Sequence, residues 1–125
     1  MNYKYIDAEE LRKNFLISEG KGYIIPEFKR QLTQIVEDVL KKYRMTSELD
    51  RKILCWSSLK DVCVFWIHFN PKKYDNPFPY FTEITKRSLA KNYNKNIPDL
   101  RIEYYREQRK EKLNKINASK TSVIS

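Results

Sequence analysis

The chain has 125 residues and a formal net charge of +9, with 41% apolar, 14% aromatic and 33% charged residues. That length predicts one domain with a modest core. A mean hydropathy of -0.73 predicts a soluble protein. The longest apolar patch, Val62–Ile67, falls well short of the about 18 residues that a membrane span needs, and the opening Met1-Asn2-Tyr3-Lys4 has no signal-peptide core, so secretion is not expected.

Both glycines fall in Gly20-Lys21-Gly22 and no alternating strand pattern occurs, which predicts an all-α chain. A first helix is expected from Ala8 to Ile17, opened by a capping-box-like Asp7 and Glu10 and ended by the glycines. Pro26 starts the second, to Arg44. There Phe28, Leu32, Ile35, Val36, Val39, Leu40 and Tyr43 recur at spacings of three and four. Lys41, Lys42 and Arg44 sit where the helix dipole favours cations.

A third helix is expected from Ser47 to Phe69. Its second half is apolar nearly all round, so it is either central in the bundle or covered by a partner. Asn76 as cap and Pro77 at the first helical position begin a fourth helix. Phe78, Phe81, Ile84 or Thr85, Ser88 and Leu89 form its stripe, with Lys86, Arg87, Lys91 and Lys95 off it. A polar break, Asn92–Asn96, precedes a fifth helix from Pro98 with a weak core face. Residues 117–125 read as a small, polar, disordered tail.

The charge is uneven. Residues 1–69 carry 12 Lys and Arg against 10 acids; residues 70–125 carry 13 against 6. A polyanion partner for the second half accounts for this step, and so does a solvated lysine-rich surface. Cys55 and Cys63, eight residues apart on one helix, would lie about 12 Å apart, too far for a mutual disulfide, so reduced thiols are expected. With His68 they fit no zinc spacing, and no nucleophile–base, phosphate-loop or cofactor motif is present. The expectation is therefore no enzyme, no metal and no cofactor. Aromatic rings beside lysines suit single-stranded nucleic acid, since bases stack on rings while cations follow phosphates. The stripe Phe78, Phe81, Ile84 also has core spacing, and periodicity alone favours core for Phe78 and Ile84; Tyr80 lies at another angle, and composition does not say which ring meets a base.

Phe69–Thr85, F-N-P-K-K-Y-D-N-P-F-P-Y-F-T-E-I-T, resembles a signature of the small late-transcription sigma factors of T-even-like and related tailed phages. These are reduced relatives of bacterial sigma factors that keep chiefly the helical region 2. Tyr3–Leu11 is similar to their opening, Ile35–Tyr43 and Arg51–Phe69 to their core helices. The resemblance implies a compact helical bundle like sigma region 2 over residues 1–96, a basic C-terminal helix over 97–116 and a short flexible tail over 117–125. It implies a factor that binds core RNA polymerase at the clamp helices of the largest subunit through Arg51, Lys52, Trp56, Ser57 and Lys60. Promoter DNA, at an A·T-rich −10-like element, would be met by Lys72, Lys73, Tyr80, Phe81, Lys86, Arg87 and Lys91, with Phe81 as a stacking ring. Its place would be the cytoplasm of an infected bacterial host, with no membrane partner and room for a co-activator.

Three departures qualify that picture. The docking helix lacks the family's usual acid or amide near Trp56-Ser57-Ser58. The tryptophan pair of housekeeping sigma factors falls near Ile84 and Thr85, so melting by a wedge should be weak. The C-terminal Ser119–Ser125 has neither acid nor aromatic, unlike the clamp-binding peptide of T-even late sigma factors. Two other readings are a virion or helical interaction protein and a nonspecific nucleic-acid-binding protein.

Overall fold

The structure, a computed structural model, describes residues 6–43, 47–93 and 97–124, with side chains as far as residue 117. Tyr3–Tyr5 of the N-terminal opening, Arg44, most of the polar break with Lys95, and Ser125 lie outside the described residues. Among those described, the chain is all-α: α1 (Ala8–Lys21), α2 (Pro26–Leu40), α3 (Glu48–Phe65), a 3-10 turn (Trp66–His68), α4 (Phe78–Asn92) and α5 (Ile97–Ile124).

Local chemistry sets the ends. Asp7 accepts the Glu9 N–H at 3.1 Å and caps α1. That helix runs past the expected Ile17 and includes Gly20. Gly22 ends it in the left-handed region at φ 80°, its N–H donating to the Ser18 and Glu19 carbonyls. The buried Ser18 hydroxyl then accepts the Ile25 N–H at 3.1 Å and folds the connection back into α2. Ser47 caps α3. Asn76 accepts the Phe78 N–H at 3.0 Å, and the Pro77 carbonyl already accepts from Phe81, so Asn76 opens α4.

α3 is central, packing on α2, α4 and α5. The α2 stripe is buried through Leu40, and Tyr43 packs on Tyr93. At one end of the bundle an aromatic cluster closes the core. Phe15 packs edge-on against Phe28, Trp66 and Phe69 at centroid distances of 6.1, 5.7 and 5.2 Å. Phe81 joins from α4, 5.7 Å from Phe28. Such edge-to-face pairs add about 0.5–1.5 kcal/mol each beyond the area they bury.

Three further expectations about extent change. α2 ends at Leu40, short of the expected Arg44. α3 stops at Phe65 instead of Phe69, and its apolar end is not wholly interior: Val62, Trp66 and Phe69 are buried, while Val64, Phe65 and Ile67 are exposed. The C-terminal segment is helical through Ile124, where a disordered tail was expected from Asn117. No helix among the described residues is long and apolar enough to cross a membrane.

Candidate nucleic-acid and partner interfaces

The loop between the 3-10 turn and α4 is built to hold its cations in place. Asn70 folds it: its side chain accepts the Lys72 N–H at 3.0 Å, and its carbonyl accepts the Lys73 and Tyr74 N–H groups. From α1, Arg12 donates to the Pro71 and Tyr74 carbonyls at 2.9 and 3.2 Å. Lys72 and Lys73 are exposed, and the Lys73 ammonium lies 5.4 Å from the Tyr74 ring centre. Tyr74 itself is 53% exposed and leans on the buried Phe69. The loop thus presents a ring beside two cations, the pairing that stacks a base and follows a phosphate.

Tyr80 is half-buried beside Phe69, and its hydroxyl donates to the Phe65 carbonyl at 2.9 Å. Burial pushes its phenol up from its ordinary value. Phe81 is corrected. Its exposure is 0%, with the rings of Phe28, Phe69 and Tyr80 against it, so it is core and offers no face to a base. Sequence reasoning gave Tyr74 no such role; its signal was an aromatic directly after the lysine pair.

Of the remaining basic residues of α4, Arg87 and Lys91, four apart, share a side of the helix, and Lys86 lies off it. Arg87 pairs with Glu83 at 3.2 Å. At about 100° per residue, Lys86 projects roughly 120° away from Tyr80 around the helix. Lys91 lines a cleft of about 320 Å³ with Ser57, Lys60, Asp61, Asp99 and Glu103, away from the lysine loop. Tyr80 meets Phe65 at one end of the α3–α4 pair and Asn92 meets Ser57 at the other, so the two helices run antiparallel.

On α3, Lys52, Trp56 and Lys60 share the outer face. Trp56 is half-buried, with the Lys60 ammonium 4.3 Å from its ring centre and Tyr104 of α5 edge-on at 5.6 Å. Arg51 turns toward the end of α2, donating to the Leu40 carbonyl at 3.4 Å. Ser57 is corrected: it is buried and accepts from the Asn92 amide at 3.2 Å, which removes it from the surface. A salt bridge from Arg101 to Asp50 at 2.6 Å fixes α5 along this side of α3.

Cys55 and Cys63 are free thiols. Burial raises both, with Glu37 adding to the effect at Cys55 and Lys29 opposing it at Cys63. No group of three or more metal-ligating side chains among the described residues is placed to hold an ion. What the arrangement offers is one exposed ring, Tyr74, beside cations at one end of the bundle and a partly covered tryptophan on its central helix. Comparison with family models, with curated proteins and with solved structures finds no match to this chain.

Proposed function

We propose that the chain is a phage-encoded, sigma-like initiation factor. It would act without catalysing bond making, in the cytoplasm of an infected bacterial host. Lys52, Trp56 and Lys60 on the outer face of α3 would contact core RNA polymerase at the clamp helices of its largest subunit. The lysine loop and the start of α4 would hold an unpaired strand of an A·T-rich −10-like element. Tyr74 and Tyr80 would supply the rings and Lys72, Lys73 and Arg87 the phosphate contacts. The observation that carries this reading is the N-P-F-P-Y-F-T block, with a clamped loop ahead of it that sets an exposed ring beside Lys73. Capturing an unstacked base offsets part of the melting energy, so promoter opening needs no hydrolysis.

The test is reconstitution with core polymerase from a candidate host on an A·T-rich template. Trp56→Ala should lower polymerase binding. Tyr74→Ala should spare polymerase binding and weaken open-complex formation. Failure of the wild-type chain to bind polymerase or to direct initiation would reject the reading.

A second reading is nonspecific nucleic-acid binding, and the burial of Phe81 favours it by removing a ring from the presumed reading helix. It would show as a steep salt slope without sequence preference.

A further inference from the structure

α5 is 28 residues long, and among its described apolar side chains those packed on the core belong to its first turns. Leu100 is buried and Ile97 and Tyr104 are half-buried, while every residue from Arg109 to Asn117 is exposed. A lone helix in water draws most of its stability from packing an apolar face. This segment carries such a face unused. Ile102, Tyr105, Leu113 and Ile116 are between 46% and 58% exposed. At about 100° per residue they fall in one stripe, on the side opposite Leu100 and Tyr104, with Arg109 inside it. The stripe runs about 21 Å, or two heptads.

Charge is sorted around the stripe. Arg106 and Lys110 follow one edge, Lys112 follows the other, and Lys115 lies behind Lys112. Glu107 and Glu111 fall on the side turned from the stripe, while Glu103 and, one turn ahead of the stripe, Asp99 lie along the Arg106–Lys110 edge. We propose that this outer face of α5 docks an amphipathic helix of another protein, one whose apolar seam is bordered by carboxylates. Bordering charges set partner choice in paired helices. A second copy of α5 is disfavoured by the same rule, because cations would meet cations along both edges. A nucleic acid would use the cations and leave the apolar side chains in water. The inference is independent of the transcription reading.

The experiment uses the full chain and two synthetic helical probes of about three heptads, with identical leucine seams. One is bordered by glutamates and the other by lysines. Fluorescence anisotropy near physiological salt should show binding of the glutamate probe, with the lysine probe weaker by about tenfold or more. Leu113→Asp with Ile116→Asp should weaken the glutamate probe by about tenfold or more and leave the melting temperature unchanged, since both side chains lie outside the core. Equal affinity for the two probes, binding of neither, or no effect of the double substitution would overturn the proposal. So would concentration-dependent self-association, or nucleic-acid binding, that the same substitutions abolish. The first outcome would assign the stripe to a second copy and the second to nucleic acid.

Discussion

Phe81 and Tyr74 should respond in opposite ways to truncation, and the contrast separates core from interface. Phe81 is fully buried among three other rings, so Phe81→Ala should cost about 3–5 kcal/mol. For a chain of this size that lowers the melting temperature by roughly 10–20 °C, and it removes much of a total stability of about 5–15 kcal/mol. Phe81→Leu keeps most of the volume and should cost under about 1.5 kcal/mol. A fluorescent single-stranded oligonucleotide should then bind Phe81→Leu as it binds the wild type. Tyr74→Ala should leave the melt nearly unchanged, because that ring is mostly in water. It should weaken oligonucleotide binding by about 1–3 kcal/mol, roughly 5- to 150-fold. If Phe81→Leu instead lost binding with its melt intact, while Tyr74→Ala bound normally, the assignment of the two rings would be wrong.

The two glycines should also differ in sign. Gly20 is helical, exposed and has open space at its Cβ position, so Gly20→Ala should raise stability by about 0.5–1 kcal/mol; Gly22, at φ 80°, should lose about 1–2 kcal/mol as alanine, both read from denaturant melts. A double-mutant cycle with Asp50→Ala and Arg101→Ala should give a coupling of about 0.2–1 kcal/mol, reduced by salt, because the pair is partly exposed. The half-buried thiols hold their protons more tightly in the folded state. Their contribution is therefore complete below the ordinary value of 9.0 and is lost as pH rises through the folded value; melts taken upward from pH 9.0 should fall less steeply in Cys55→Ala.

The parts of the fold legible in the sequence are those fixed by local spacing. The α2 stripe from Phe28 to Leu40 is interior because three-and-four spacing leaves it one face to bury. The end of α3 was not legible, because its cause is 15 residues away. In a continued helix the Phe69 N–H would bond the Phe65 carbonyl. Here it bonds the Trp66 carbonyl at 3.3 Å, and the Tyr80 hydroxyl takes the Phe65 oxygen. Ser57 reads as a surface residue for the same kind of reason, since its partner Asn92 lies 35 residues on. Phe81 is the instructive case at the candidate site. Periodicity placed it in a stripe with Ser88 and Leu89, the resemblance made it a stacking ring, and the burial agrees with the spacing.

The position of α5 bears on how the chain would meet a polymerase. Tyr104 sits against Trp56, so docking through Trp56 must either displace α5 or take it into the interface. Displacement would expose Leu100, break the Trp56–Tyr104 pair and separate Arg101 from Asp50. Those losses come to about 3–5 kcal/mol, which would weaken docking by roughly 150- to 5,000-fold. Keeping α5 in place avoids that loss and adds Tyr104 to the edge of the contact. Under the proposed function, Tyr104→Ala should therefore lower polymerase affinity in the same direction as Trp56→Ala, measured by surface-immobilised binding. A rise in affinity would mean that α5 is moved aside, and that Tyr104 competes with the polymerase for Trp56.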